Sequence, residues 1–223
     1  AFRFALDIAQ QGRGEVHLLN VVELPIMHDT VLMPVLSFEQ QLLKDLSQKA
    51  EKQFEKIREK YVLDGQKVKT KIQFGATSRM ILDYISEEHI DLVIMGTQGA
   101  SGAKELLIGS NTEKIVRRSS APVLAIKKYL KASAIKNIVF PNTLEQDQED
   151  LMLKVKSLQG FFKAKLHIVY INTPAAFTRD VVTLQRLKDF AKRFMLKDFT
   201  VNVFNDTYEE SGIINFTQLI KAD

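Results

Sequence analysis

The chain has 223 residues, with 31 basic and 27 acidic side chains, a formal charge of +4 and a pI near 9.1. A content of 45% hydrophobic and 26% charged residues is that of a folded chain with one large domain or two ordinary ones, and it excludes a disordered or fibrous design. Without cysteine, disulfides and thiolate chemistry are excluded and a reducing, cytoplasmic setting is expected; no apolar run approaches the roughly 20 residues of a membrane helix; and the well-mixed charge argues against a nucleic-acid partner.

Phe2, Ala5, Leu6 and Ala9 fall at helical spacing, with Gly12 and Gly14 expected to stop the helix. The run already begins in a helical pattern at Ala1 and breaks off without a natural stop at Asp223, so a fragment is expected. Val16–Val22 has the apolar character of a buried parallel strand. A long connection, Glu23–Leu36, follows and contains Pro25 and Pro34. Its apolar Met27–Leu36 portion reads either as a lid over the ligand end of a sheet or as a partner-binding surface. Ser37 and Gln40 form a capping-box pattern, ahead of a helical stripe of Phe38, Leu42, Leu46, Ala50, Phe54, Ile57 and Tyr61. Val68, Thr70, Ile72 and Phe74 alternate with Lys67, Lys69, Lys71 and Gln73, the pattern of an edge strand with its polar side outward. Met80, Ile81, Tyr84 and Ile85 mark a helix, Leu92–Met95 a strand, Asn111–Arg118 a helix and Pro122–Ile126 a strand.

The second half repeats the first. Glu15–Val22 resembles Lys165–Asn172 with His17 and His167 in register, and Met80–Ile85 resembles Gly212–Thr217, so that Asp91 falls on Asp223. Two α/β units joined near Lys128–Ala134 are expected, each a parallel sheet with helices on both faces. Ligands of such sheets sit beyond the carboxyl ends of the strands.

The segment with chemistry is Met95–Thr112. Gly96, Gly99, Gly102 and Gly109, four of the chain's 10 glycines, lie in it. The first three follow a strand directly, and Gly109-Ser110-Asn111-Thr112 opens a helix. Unpaired amides at a helix start, together with the hydroxyls of Thr97, Ser101 and Ser110, make a cradle for an anion, with a phosphate chain the natural guest. The alternative is a tight turn without a ligand. The four histidines read as packing residues, His28-Asp29 lacks further metal ligands, and no catalytic set is seen.

Gly96, two residues, Gly99, nine residues and Gly109-Ser110 resemble the nucleotide-loop signature of the universal stress protein family (UspA-like). Asp91–Gly96 before the loop and Ser119–Leu124 after it fit the same family, and the resemblance covers the chain as a tandem pair. It implies two doubly wound, Rossmann-like parallel sheets in strand order 3-2-1-4-5, both incomplete here. The expected domains are 1–130, with the nucleotide loop and without its first strand, and 131–223, degenerate and cut short before its own loop. The resemblance further implies a stress-response or signalling module that binds ATP, with or without magnesium. Gly96, Gly99, Gly109, Ser110 and Asn111 would hold phosphate and ribose, with Thr97, Ser101 and Gly102 in the same loop, and Val21 and Met95 would line the adenosine pocket. Self-association would run through Pro122–Ile126, within a tandem pair or between copies. At most slow ATP hydrolysis is expected, because no general base or metal-holding acid is visible beside the loop. Asn142 stands where the family has an acid, and the place of the first half's first strand is left for upstream residues, for Lys136–Phe140 of the second half or for a partner chain to fill. The competing expectation is a structural or interaction protein of the same fold that acts by pairing; an ATP-dependent ligase or nucleotidyl transferase lacks its signature.

Overall fold

The computed structural model describes residues 1–23, 35–97, 109–145 and 149–223, with residues 35–40 described by their backbone. The chain divides into two compact units, Ala1–Tyr129 and Leu130–Asp223.

In the first unit, helix α1 (Phe2–Gly12) buries Phe4 and Leu6. It ends at Arg13, whose φ of 55° is left-handed, and the Gly14 amide reaches back to the Ala9 carbonyl at 2.8 Å. The left-handed position thus falls between the two glycines expected to break the helix; the closing bond, not glycine's freedom, fixes the end. Strand β1 (Glu15–Val22), helix α2 (Val35–Tyr61) and strand β2 (Lys67–Phe74) follow. The backbone is already helical at Val35, so Ser37 lies inside α2 and the capping box read from Ser37 and Gln40 does not form. Strands β1 and β2 run parallel in an eight-residue register from Glu15↔Lys67 to Val22↔Phe74. Lys67, Lys69 and Lys71 point to solvent, as alternation on an edge strand requires.

Helix α3 (Thr77–Glu87) buries Tyr84 and Ile85 against this pair. Strand β3 (Val93–Gly96), helix α4 (Ser110–Arg118) and strand β4 (Val123–Ile126) complete the unit, with β3 parallel to β4 from Val93↔Val123 to Gly96↔Ile126. Among the described residues the unit therefore holds two separate two-stranded sheets.

The second unit has one three-stranded parallel sheet in the order β5 (Asn137–Pro141), β6 (Lys165–Asn172), β7 (Phe199–Asn205). Helices α5 (Glu149–Phe162) and α6 (Asp180–Arg193) cover one face, where Met152, Leu166, Ile168 and Leu187 are wholly buried. Helix α7 (Glu209–Leu219) covers the other, where Phe216 packs on Val169 and Ile171. Central β6, apolar on both faces, is the strand that such double coverage demands.

The two units repeat each other in backbone detail. Lys163 (φ 52°) ends α5 as Arg13 ends α1, with Ala164 bonded back to Gln159 as Gly14 is to Ala9. His89 (φ 50°) and Lys221 (φ 52°) close α3 and α7 in the same way: the Ile90 amide reaches the Ile85 carbonyl and the Ala222 amide that of Thr217, both at 3.0 Å. The paired histidines do more than pack. His17 Nδ1 meets the Tyr84 hydroxyl at 2.9 Å, and His167 bridges Thr200 and Asn137.

Candidate functional site

The β3–α4 junction is tied at both ends. The Thr97 amide donates to the Ile126 carbonyl at 3.2 Å, which extends the β3–β4 pairing one step past Gly96. The Gly109 amide donates to the Thr97 carbonyl at 2.9 Å, and the Thr112 hydroxyl to the Gly96 carbonyl at 3.0 Å. Thr97 and Thr112 are nearly inaccessible, at 6% and 4% exposure, so these polar groups lie in a setting where an unmade bond would be costly. Gly96, Thr97, Gly109 and Thr112 thus form one compact knot. Gly99, Ser101 and Gly102 lie outside the described residues.

Two amides expected in the anion cradle, those of Thr97 and Gly109, already have protein acceptors. The next three, of Ser110, Asn111 and Thr112, form the first turn of α4 and have no acceptor among the described residues; nor does a side chain cap the helix. These are the orphan donors of a helix start, and the dipole of α4 adds partial positive charge there. Ser110 is exposed and Asn111 half-buried, so the turn is open to a solute. What it can do chemically is hold an anion.

Val21 and Met95 each stand one residue before the carboxyl end of their strand, in β1 and β3, paired with Gln73 and Ala125. Both are half-buried, and they belong to different two-stranded sheets. Gln73 was not foreseen: its Oε1 is buried without a hydrogen-bond partner among the described residues, beside Val21 on the same stretch of sheet. An orphaned acceptor there suits a ligand that brings a donor.

Glu23 also escaped the sequence reading. It follows β1 directly, and its Oε1 accepts the Thr77 hydroxyl at 2.6 Å and the Thr77 amide at 3.3 Å. These bonds, with the charge of Lys114 on α4, hold its carboxyl below the usual glutamate range. Glu23 caps α3 across 54 positions, a pairing that local spacing cannot reveal. Asn142, at the acid's expected place in the second unit, is 4% exposed and accepts the Leu144 amide at 2.7 Å; it shapes a turn.

The second unit has an open crevice of about 1290 Å³ at the carboxyl ends of β6 and β7, lined by Asn172, Thr173, Phe177, Arg179, Asp180 and Asp206 among others. Asp206 stays ionised, its pKa lowered by bonds from Ser211 and Asn215. Two acids beside one arginine make no phosphate cradle. Among the described residues no cluster of histidine and acids fit to hold a metal ion occurs, and no helix is long and apolar enough to cross a membrane.

Universal stress protein MJ0531 of Methanocaldococcus jannaschii is 29% identical over 128 residues, 57% of this chain and 74% of that protein. Universal stress protein MJ0577 of the same archaeon is 35% identical over 91 residues, 41% of this chain and 56% of its own length. A universal stress protein structure from Archaeoglobus fulgidus aligns over 99% of this chain and 78% of its own, with a TM-score of 0.71 at 17% identity. That of a further such protein from Pseudomonas aeruginosa reaches 0.62 at 16% identity; these two likenesses concern the fold alone. The model of the universal stress protein family matches residues 1–127, more than half of the sequence, and the chain belongs to that family.

Proposed function

We propose that the first unit binds an adenine nucleotide, with the phosphates on the first turn of α4 and the base toward Val21, Met95 and Gln73. The observation that supports this most is the set of three consecutive amides, Ser110 to Thr112, without acceptors among the described residues at an open helix start. The orphaned Gln73 acceptor beside Val21 suits the exocyclic amine of adenine. Gly96, Gly99, Ser101, Gly102 and Gly109 would belong to the same phosphate site, and magnesium would arrive with the nucleotide. The protein then works as a stress-response or signalling module in the cytoplasm. The outer edge of β4 is the surface for self-association.

Ser110→Pro tests this directly. Proline suits the first helical position, and Gly109 (φ −57°, ψ 143°) has the extended backbone that a following proline requires. The exchange removes one orphan amide and leaves the helix. Titration calorimetry should show ATP binding to the parent chain and about tenfold weaker binding to the variant, as expected for one charge-assisted hydrogen bond, with Tm unchanged. Equal affinity would remove the phosphate from this turn.

A second reading, a scaffold that acts by pairing, draws on the Thr97 and Gly109 amides being tied into the protein. It expects no heat with ATP and a self-association that sedimentation would detect.

A further inference from the structure

The connection from β6 to α6 is tied down by polar bonds and yet turns its apolar side chains outward. Asn172, buried at the end of β6, accepts the Thr178 amide on its Oδ1 at 2.9 Å and donates through Nδ2 to the Thr178 carbonyl at 3.1 Å. The hydroxyls of Thr178 and buried Thr183 meet at 2.7 Å, and the Ala176 amide closes a turn on the Thr173 carbonyl at 3.1 Å. In this fixed stretch Phe177 stands 71% exposed, and Val181, in the first turn of α6, is 82% exposed.

These side chains share one place. Phe177, Val181 and Val182 line the open crevice at the carboxyl ends of β6 and β7, and Tyr208, 68% exposed, follows Thr207 on its β7 side. Single exposed apolar side chains are ordinary on a surface, but several around one hollow with a polar rim mark a contact site. Charge is sorted there as well. Asp180 opens α6, Asp206 lines the crevice, and Glu209 and Glu210 occupy the first turn of α7. Arg179 is the single base among the lining residues. Four carboxylates thus gather around one guanidinium on a chain whose net charge is +4. Acids in a first turn answer the helix dipole, which leaves the aromatic and aliphatic side chains beside them unexplained. At about 1290 Å³ the crevice also exceeds the roughly 300–1,000 Å³ of small-molecule pockets.

We infer that this crevice docks a segment of another protein in which large apolar side chains are flanked by lysine or arginine. The apolar side chains pack on Phe177, Val181, Val182 and Tyr208, and the cations meet Asp180, Glu209 and Glu210. Asn172 and Thr183 have already fixed the loop, so little freedom is lost on binding, and Phe177 is placed as the aromatic anchor that such interfaces use. Asp206 has a different part: its carboxylate accepts the Ser211 hydroxyl and the Asn215 amide and holds the start of α7.

The test uses the full chain and a panel of blocked hexapeptides, each with a central pair of leucine or phenylalanine between lysines or arginines. The same peptides with glutamate for every basic residue serve as the counterpart. Backbone amide resonances are followed in titrations up to millimolar peptide. The basic peptides are expected to shift residues 173–183 and 205–210 and, at low salt, to bind at least about tenfold more tightly than the acidic ones, with the gap narrowing as salt is added. Phe177→Ser should weaken their binding about tenfold with Tm unchanged, because the side chain is exposed. The triple variant Asp180→Asn, Glu209→Gln and Glu210→Gln keeps the Asp180 acceptor for Asn172 and should remove the preference for basic peptides. No shift with any peptide of the panel, equal affinity for the acidic peptides, or affinity indifferent to Phe177→Ser overturns the inference. So does a concentration-dependent self-association that Phe177→Ser abolishes, which would put a second copy of this chain on the surface instead.

Discussion

Gly212 lies where α7 crosses β6. A β-carbon there would stand 2.4 Å from Ile171 Cγ2 and 3.1 Å from Asp206 Cβ. Ile171 is β-branched and 8% exposed, so it has no easy way to turn aside. Glycine to alanine in an ordinary helix interior stabilises by up to about 1 kcal/mol; here the overlap outweighs that gain. Gly212→Ala is expected to destabilise by about 1–3 kcal/mol, read as a lower urea midpoint with unchanged slope. His167 acts through its charge. Burial first, and Lys165 second, hold its pKa below the ordinary 6.5, so the unfolded chain binds a proton more readily than the folded one. Stability from this group is therefore intact above pH 6.5 and falls as the pH drops through that value toward the folded pKa. Tm measured from pH 7.5 down to 5 should decline, and His167→Gln should flatten part of that decline.

The elements were legible to different degrees, for physical reasons. Strands β1 and β6 announce themselves as apolar runs, and the lysine alternation of β2 is a solvent pattern that survives folding. The start of α2 is not so marked: Ser37 and Gln40 have capping chemistry, yet the helix is already in place at Val35. At the β3–α4 junction the glycines mark a segment, but not which of its amides are already paired. That depends on Thr97 and Gly109 pairing across a loop, and backbone bonds leave no mark in residue types. The same holds for Glu23 and Thr77. The repeat aligned Asp91 with Asp223 from spacing alone, but that the Asp223 carboxylate accepts the Lys136 and Asn137 amides is not legible in it. Thr112 is the side chain on which the junction rests. Thr112→Val removes its bond to the Gly96 carbonyl, at a cost of about 0.5–1.5 kcal/mol. Chemical denaturation should show this loss, with ATP affinity falling in parallel because the open turn is no longer held against β3.

At the scale of the molecule, two units share one backbone design. The first presents the start of α4 with three amides unpaired among the described residues; the second presents a crevice with Asp180 and Asp206 in it. An anionic ligand is proposed on the first, because the carboxylates of the crevice would repel it. Backbone amide resonances followed during an ATP titration read this division residue by residue. The shifts are expected to be largest at Ser110, Asn111 and Thr112, smaller at Thr97 and Gly109, whose amides already have acceptors, and absent from Asn172–Thr207. Saturating ATP that leaves the three α4 amides unmoved, or that moves the second unit instead, would contradict nucleotide binding at this site.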